Sequence, residues 1–381
     1  MEYKKLKYIA AYPTGKLNSN AAVEGGKYPF FTCAHEVYSI NKYAYEGEYV
    51  LLGGNNASGD FPIFYYNGKF EAYQRTYLIQ PLDTSNYDTH YLYYSIGLKL
   101  AKMRANASGT ATKFLTKPIL DNLYIEDWDI DYQKNIVSIM SSYDNLIEIN
   151  NRRIKILEQM AENLYKEWFV RFRFPGHENA EFVDGVPKGW EVYRLDGICD
   201  INKCNLNKSD KIDKILYLDT GSLTENRISG LEEYFISDAP SRAKRKVKEN
   251  SILFSTVRPA LKHYGILRKV PRNMIVSTGF AVLDTKYDIA NIIFMYLSSD
   301  VVLNYCQMIA EGTVATYPTI RPDEIGKIKI ILPPIEQAVM WNEKLNDYFS
   351  MKQKLNKQNE NLIKQRDYLL PRLMSGKLQV K

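Results

Sequence analysis

Residues 136–168, IVSIMSSYDNLIEINNRRIKILEQMAENLYKEW, decide the first long element of the fold. Alternating steps of four and three residues through this stretch reach apolar side chains at nine of ten positions. The ten positions are Ile136, Met140, Tyr143, Ile147, Asn150, Ile154, Leu157, Ala161, Leu164 and Trp168. Neither Gly nor Pro interrupts the stretch before Pro175-Gly176, so the pattern predicts one long coiled-coil helix.

A second stripe with the same spacing follows Pro333-Pro334. Its positions are Trp341, Leu345, Tyr348, Lys352, Leu355, Asn359, Leu362, Arg366, Leu369 and Leu373, of which three are polar. Each helix is predicted to run for about 40 residues, or ~60 Å at 1.5 Å per residue. We expect the two helices to pair antiparallel, because each leads away from its own globular region. The alternative is that each helix lies separately on its own domain.

The regions that precede the two helices resemble each other, which makes the chain an internal repeat. Gly109-Thr110-Ala111-Thr112 lies 203 residues before Gly312-Thr313-Val314-Ala315. Val50-Leu51-Leu52 matches Ile252-Leu253-Phe254 at an offset of 202 residues. An offset that stays almost constant over so long a stretch favours duplication of one unit over chance similarity.

Short runs rich in Val, Ile, Tyr and Phe fill each repeat between turn signals such as Gly53-Gly54-Asn55-Asn56, a pattern typical of α/β domains with much irregular loop. Alternating apolar residues at 120–125 and at 325–330 predict a further strand in each repeat. We therefore predict an α/β fold with two repeated α/β domains, separated by two long helices that form an antiparallel coiled coil. The predicted segments are a first domain at 1–130, a first helix at 131–173, a second domain at 174–334 and a second helix at 335–381.

The composition is that of an ordinary globular protein. The 381 residues suffice for two or three domains, and 45% are apolar and 25% charged. No window approaches the ~18 uninterrupted apolar residues of a membrane-spanning helix, and no secretory signal begins the sequence, so we expect a cytoplasmic protein. Four cysteines do not make a disulfide framework. Residues 335–381 hold nine Lys and Arg against five Asp and Glu, most of the net charge of +6, so neither predicted domain is basic enough for non-specific nucleic-acid binding.

No catalytic motif emerges from the sequence. Gly25-Gly26-Lys27-Tyr28 lacks the spacing and the hydroxyl of a phosphate-binding loop. Leu332-Pro333-Pro334-Ile335 lacks the amide and the aromatic residue of an amine methyltransferase. Cys33-x-His35 and the pair Cys199 and Cys204 do not match as zinc ligands. We therefore expect a binding protein, and two similar domains held at a fixed separation suit two half-sites on a DNA duplex.

Several segments give the chain a family resemblance over nearly its whole length. It resembles a specificity (S) subunit of a type I restriction–modification enzyme. The similar segments are the Gly-Thr-x-x-x-aromatic stretches at 109–114 and 312–317, residues 330–337 before the second helix, the inter-domain stretch 186–192 and the terminal stretch 370–378. In the first repeat, residues 124–129 stand where the second has Leu-Pro-Pro.

The resemblance implies a function without catalysis in this chain. Two target-recognition domains would each read half of a bipartite DNA sequence, and the helices would set the length of the unread spacer. The implied partners are double-stranded DNA, two methyltransferase (modification) subunits docked on the helices, and translocating restriction subunits. S-adenosylmethionine, magnesium and ATP are implied on those partners, and no catalytic residue, metal or cofactor is implied in this chain.

Candidate DNA-contacting residues are polar side chains on predicted loops, because base readout needs Arg, Lys, amide or hydroxyl groups that reach a groove. In the first domain they are Asn55, Asn56, Ser58, Tyr73, Gln74, Arg75 and Lys113. In the second they are Arg258, Lys262, His263, Ser277 and Thr278, together with the basic run Arg242, Lys244, Arg245 and Lys246. We expect the basic run to contact phosphates rather than bases. For each residue the alternative is an ordinary solvated side chain.

Two other functions stay open at this point. One is a coiled-coil adaptor whose globular ends bind protein, which a mobility-shift assay with genomic DNA fragments would distinguish. The other is a specificity chain for a fused methylase–nuclease, which the neighbouring reading frames would identify.

Overall fold

The computed structural model divides the chain into two compact units. The first unit comprises Met1–Asn151 together with Asn356–Lys381, and the second comprises Arg152–Leu355. The structure describes residues 2–56, 59–106, 114–207, 209–312 and 318–379. Because both boundaries between the units fall within long helices, each unit contains one α/β body and a portion of each helix.

The first unit is built around a six-stranded sheet. Its described strands are Glu2–Lys5 (β1), Ala10–Ala11 (β2), Tyr28–Phe31 (β3), Tyr38–Ile40 (β4), Tyr45–Gly53 (β5), Ile63–Ala72 (β6), Thr76–Pro81 (β7) and Tyr124–Asp127 (β8). Its described α-helices are Thr89–Asn106 (α1), Lys117–Asp121 (α2), the first part of Ile130–Tyr165 (α3) and the last part of the second long helix, Ile335–Met374. The strand order is β2-β7-β5-β6-β3-β4, in which β3 and β6 run parallel and the other neighbours antiparallel.

The centre of this sheet explains the apolar run Val50-Leu51-Leu52. Successive side chains of a strand point to opposite faces of the sheet. Val50 and Leu52 pack in one cluster with Tyr91 of α1, whereas Leu51 packs with Phe31 on the other face. A central strand with both faces covered is apolar at every position, so the run does not alternate.

The second unit contains two four-stranded sheets. Its described strands are Phe182–Val183 (β9), Val186–Pro187 (β10), Glu191–Arg194 (β11), Cys199–Ile201 (β12), Lys214–Leu218 (β13), Leu223–Thr224 (β14), Arg227–Ile228 (β15), Glu232–Phe235 (β16), Ala243–Lys246 (β17), Ile252–Ser255 (β18), Tyr264–Ile266 (β19), Met274–Ser277 (β20), Phe280–Thr285 (β21) and Lys329–Leu332 (β22). Its described α-helices are the last part of α3, Leu195–Ile198 (α4), Ala290–Leu297 (α5), Asp300–Glu311 (α6), Pro322–Gly326 (α7) and the first part of Ile335–Met374 (α8). The sheet orders are β12-β21-β18-β19 and β16-β13-β20-β17. A π-helical turn, Lys166–Val170, directly follows α3.

The duplication read from the sequence recurs in the elements of the two units. In each, a strand near its beginning pairs antiparallel with the strand that precedes a long helix, β1 with β8 and β11 with β22. The predicted strands at 120–125 and 325–330 begin later than expected, because the first residues of each range belong to a short helix. Pro118 and Pro322 stand in the first turn of the short helices α2 and α7, where a missing N–H costs nothing, and the strand begins only afterwards.

The two long helices pair antiparallel within each unit, as predicted. In the first unit, Arg366 lies 2.8 Å from Asp144, and Asn359 accepts a 2.9 Å hydrogen bond from Asn150. In the second, Lys352 lies 2.6 Å from Glu158, and the ring of Trp168, just after α3, lies 5.2 Å from that of Trp341, earlier in α8. Asn150 comes after Asp144 in α3, whereas its partner Asn359 comes before Arg366 in α8. This reversed order is that of antiparallel helices. The alternative of two separately packed helices is therefore excluded.

No single helix of the described chain is long and apolar enough to cross a membrane. The bent pair of α5 and α6 has the length and composition for a broken span. In this structure Ile292 and Ile293 of α5 are fully buried in the core of the second unit. The described residues also include no group of three or more His, Cys, Asp and Glu side chains placed to bind a metal ion.

Candidate DNA interface

In the first unit, three chain segments meet beyond the end of β5. The N–H of Gly54 donates to the carbonyl of Arg75 at 2.8 Å, and the N–H of Leu115 donates to the carbonyl of Gly54 at 2.9 Å. These hydrogen bonds join the strand end, the turn between β6 and β7, and the segment just after the first Gly-Thr repeat. A Cβ on Gly54 would lie 2.8 Å from the carbonyl oxygen of Arg75, so a side chain at this position of the first unit would force the turn to shift. We call Gly54, Arg75 and Leu115 the first junction.

The second unit builds the same arrangement beyond the end of β18. The N–H of Thr256 donates to the carbonyl of Gly279 at 2.8 Å, and the N–H of Ile320 donates to the carbonyl of Thr256 at 2.9 Å. Gly279 lies in the turn between β20 and β21, and Ile320 follows the second Gly-Thr repeat. We call Thr256, Gly279 and Ile320 the second junction. The repeated backbone hydrogen bonds show that the two units share one local scaffold.

The first junction gathers most of the candidate residues of its unit. Asn55 follows Gly54 and forms an isolated β-bridge with Phe114. Arg75 is exposed and makes no ion pair with another described residue. Gln74 is exposed, and its amide donates to Asn18 Oδ1 at 2.9 Å. The half-buried Tyr73 and Asn56 adjoin these residues in the chain, and Ser58 and Lys113 lie outside the described residues.

The second junction gathers Ser277 and Thr278. Ser277 is only 2% exposed, and its hydroxyl accepts a hydrogen bond from the N–H of Gly279 at 3.1 Å. The N–H of Thr278 donates to the carbonyl of Arg242 at 2.8 Å. That bond places the start of the basic strand β17 beside the junction. The hydroxyl of Ser277 therefore supports the turn, and its proposed contact with DNA stays a prediction.

Arg258 and Lys262 flank one 3₁₀ turn, Pro259–Leu261, next to the second junction. Both adopt the left-handed backbone conformation, with φ of 45° and 57°, which non-glycine residues rarely adopt and which clusters at functional sites. The N–H of Arg258 donates to the carbonyl of Pro318 at 3.0 Å, and its side chain is exposed. This turn thus holds Arg258 in a fixed place beside the junction.

Lys262 and His263 have partners within the unit. Lys262 Nζ lies 3.3 Å from a carboxylate oxygen of Glu225. The ring of His263 donates from Nδ1 to the carbonyl of Leu223 at 2.7 Å. Both interactions attach this segment to the hairpin of β14 and β15.

The basic side chains of residues 242–246 differ in whether they form an ion pair with a carboxylate. Lys246 lies 2.5 Å from Asp210. Arg242 and Lys244 are exposed and make no ion pair with any other described residue. Arg245 donates to Asn205 Oδ1 at 2.8 Å, and its Nε is buried without a hydrogen-bond partner among the described residues. Burial lowers the pKa of the Arg245 guanidinium.

Two amides that sequence reasoning missed hold candidate residues in place. Asn18 accepts from Gln74, which is 56 residues away, and Asn205 accepts from Arg245, which is 40 residues away. Neither amide belongs to a motif or a periodic pattern. No signal in the sequence could have found them, because each is defined by a partner distant in the chain.

Comparison with known proteins identifies the family. A family model described as the type I restriction modification DNA specificity domain matches residues 1–159 and again residues 187–365. The chain belongs to this family. The two matched stretches confirm both the suspected resemblance and the duplication.

The matches to individual relatives cover most of the chain. The type I restriction enzyme EcoDI specificity subunit of Escherichia coli is 25% identical over 380 residues, which cover 92% of this chain and 81% of the relative. The type I restriction enzyme MjaVIII specificity subunit of Methanocaldococcus jannaschii is 26% identical over 311 residues, which cover 77% and 71%. A crystal structure of the type I restriction–modification S subunit from M. genitalium covers 98% of this chain and 95% of its own, with a TM-score of 0.62 and 17% identity. The fold is therefore that of an S subunit.

Proposed function

We propose that this chain reads a bipartite DNA target for a type I restriction–modification complex, with one half-site read by each unit. The two junctions carry the proposal. Both have the same backbone hydrogen bonds, but the turn that holds Tyr73-Gln74-Arg75 in the first unit holds Ser277-Thr278-Gly279 in the second. A shared scaffold that presents different hydrogen-bonding groups suits the reading of two different half-sites.

Within each unit the candidates divide by role. Arg75 and Arg258 are the proposed base readers, because each is exposed beside its junction and a guanidinium binds the major-groove edge of guanine with two hydrogen bonds. Arg242, Lys244 and Arg245 are the proposed phosphate contacts, since phosphate binding requires charge without base selectivity. The other candidates are proposed to support or extend these contacts.

Exposed apolar side chains on α3 support docking of methyltransferase subunits. Leu146 and Ile149 in the first unit are 48% and 46% exposed, and Ile156 and Met160 in the second are 58% and 45% exposed. Helical spacing places the residues of each pair on one face of α3, away from its buried stripe. Rows of exposed apolar side chains mark protein interfaces. We propose that the portion of α3 in each unit binds one methyltransferase subunit, and that restriction subunits join the resulting complex.

The chemistry is assigned to these partners. The chain is proposed to be non-catalytic and cytoplasmic, with S-adenosylmethionine, magnesium and ATP bound by the methyltransferase and restriction subunits. The contribution of this chain is to choose the DNA sequence.

The test is to express the chain with the methyltransferase of its operon in a host without adenine methylation and to map N6-methyladenine across the genome. We expect one motif made of two defined half-sites and an unread spacer of fixed length. Cells with the methyltransferase alone are the control. Absence of methylation, or a single continuous motif, would contradict the proposal, and a protein-binding adaptor would give no motif at all.

A further inference from the structure

In the second unit an arginine lies between the α/β body and α8 without a carboxylate partner within 4.0 Å among the described residues. Arg268 donates from one terminal nitrogen to Asn250 Oδ1 at 2.7 Å and from the other to Asn291 Oδ1. Its guanidinium lies 4.9 Å from the ring centroid of Phe349 on α8. Its Nε is buried and has no hydrogen-bond partner in the described chain. Burial lowers the pKa of Arg268 to about 10, although the carboxylates of Glu249 and Asp288 act in the opposite direction from a longer distance.

Asn291 extends this group to a second residue of α8. The N–H of Asn291 donates to Asn342 Oδ1 at 2.9 Å, and its side-chain amide donates to the carbonyl of Asn342 at 3.3 Å. Asn291 and Asn342 are each only 2% exposed. We call Asn250, Arg268, Asn291, Asn342 and Phe349 the Arg268 network. It connects two loops and a helix of the body to two positions on α8 that are seven residues apart.

Stability alone does not account for the Arg268 network. Removing a guanidinium from water is unfavourable, and neutral amide oxygens offset that cost less well than a carboxylate would. Apolar side chains would join the body to α8 without this cost, but apolar contacts are non-directional. A planar guanidinium that binds two amides fixes two directions at once. A buried polar network of this kind rigidifies the arrangement of the elements it joins.

The first unit joins its body to the helices by different chemistry. Tyr94 of α1 donates to Asp144 Oδ2 of α3 at 2.6 Å, and Asp144 also binds Arg366 of α8. There the charge is compensated by a carboxylate. An arginine bound by amides instead of a carboxylate is therefore a property of the second body and not of the repeated unit.

We propose that Arg268 is a positioning residue that fixes the angle of the second recognition body on α8 and thereby restricts the spacer lengths that the subunit accepts. This inference rests on the proposed function, in which the long helices set the spacer. A body that can tilt on α8 would reach a half-site at a neighbouring spacing, whereas a fixed body would not. Arg268 itself need not touch DNA.

The experiment is genome-wide methylation mapping of the Arg268→Met chain, expressed with its methyltransferase. We expect unchanged half-sites and a roughly fivefold loss of discrimination against spacers that are one base pair longer or shorter. This factor corresponds to ~1 kcal/mol, which lies within the range of coupling energies between residues of one hydrogen-bond network. The thermal unfolding midpoint should fall, because methionine leaves the amide oxygens of Asn250 and of the buried Asn291 without their donor, so spacer discrimination is compared in the folded complex. Arg272→Met changes an exposed arginine of the loop between β19 and β20 and should keep the parental spacer discrimination.

Two results would overturn the inference: parental spacer discrimination in a folded Arg268→Met complex, and an equal loss of methylation at every spacer. If Arg268→Met does not accumulate, Arg268→Lys gives the same test, since lysine keeps the charge without the planar fork. Failure of the proposed function is distinguishable, because the parental chain would then yield no bipartite motif.

Discussion

Arg75 and Arg258 are exposed beside equivalent backbone junctions in the two units. If each makes a bidentate contact to a base, its replacement by alanine should weaken binding of the target by ~1–3 kcal/mol and relax the sequence requirement at one position of one half-site. The measurement is a mobility-shift titration of the complex with methyltransferase on cognate and single-substituted DNA at fixed salt, since affinity depends on salt.

Arg242→Ala is the matched control for these two variants. Loss of a phosphate contact should weaken binding to all sequences alike and reduce the slope of log affinity against log salt by about one. If Arg75→Ala and Arg258→Ala change binding in that uniform way, they are not base readers. Unchanged affinity would make them solvated surface residues.

His90 is predicted to make the stability of the first unit depend on pH. Its ring stacks on Tyr65 at 3.8 Å and on Tyr94 at 4.9 Å between centroids. Burial lowers the pKa of His90 from its ordinary 6.5, although nearby carboxylates such as Asp88 act in the opposite direction. The folded state therefore binds a proton less readily than the unfolded state does.

Stability should consequently fall as the pH drops below about 6.5, where the unfolded state takes up more protons. We expect the unfolding midpoint of the chain to decrease between about pH 7.5 and about pH 5.5, and His90→Phe to remove part of that decrease. His35→Gln, at an exposed histidine of the same unit, is the control and should behave as the parent does. A parental pH dependence in His90→Phe would show that this ring contributes none of it.

At the scale of elements, the polar positions of the second stripe have partners on α3. Lys352 pairs with Glu158 in the second unit, and Arg366 pairs with Asp144 in the first. Asn359 accepts from Asn150, the polar position of the first stripe, and the two are only 7% and 5% exposed. A buried amide pair in a coiled coil specifies register at some cost in stability.

Asn359→Leu should destabilise the chain by ~1–3 kcal/mol, because it leaves the buried amide of Asn150 without its main partner. The double variant Asn150→Leu with Asn359→Leu should recover that loss, since both amides are then replaced by apolar groups. Chemical denaturation of the parent, both single variants and the double variant measures the difference. Asn361→Leu, at an exposed position of the same helix, is the control. Equal stability of Asn359→Leu and the parent would contradict the assigned role of the pair.

At the scale of the whole molecule, the length of α3 and α8 is proposed to set the spacer. Because the helices pair, a change of length must be made in both. Four residues inserted between Asn151 and Arg152, with four between Leu355 and Asn356, add about one turn, or ~6 Å, to each helix. DNA rises ~3.4 Å per base pair, so the methylated motif should keep its half-sites and gain one or two base pairs of spacer.

Matched insertions of two residues are the control for this experiment. They rotate the stripes by about 200° and should abolish helix pairing and methylation. Methylation mapping of both variants provides the measurement. An active four-residue variant with unchanged half-sites and an unchanged spacer would exclude the helices as the ruler.

The sequence by itself determined the features that depend on local pattern. The stripe from Ile136 to Trp168 predicted α3, and the run Val50-Leu51-Leu52 predicted a buried strand, because periodicity and apolar content are properties of neighbouring residues. The near-constant offset between the two halves predicted the duplication. The stripe gave no sign of the change from α-helix to the π-helical turn after Tyr165. Its apolar positions Leu164 and Trp168 lie on either side of that change with the usual spacing of four residues.

Only the tertiary structure decided which distant residues meet. The junctions join segments about 20 to 60 residues apart, and they gathered candidate loops that the sequence could name only one at a time. The partner of Asn150 on α8, the amides of Asn18 and Asn205, and the amides that bind Arg268 also depend on such pairs. No local pattern encodes them, since the side chain opposite a residue is chosen by the packing of elements from far along the chain.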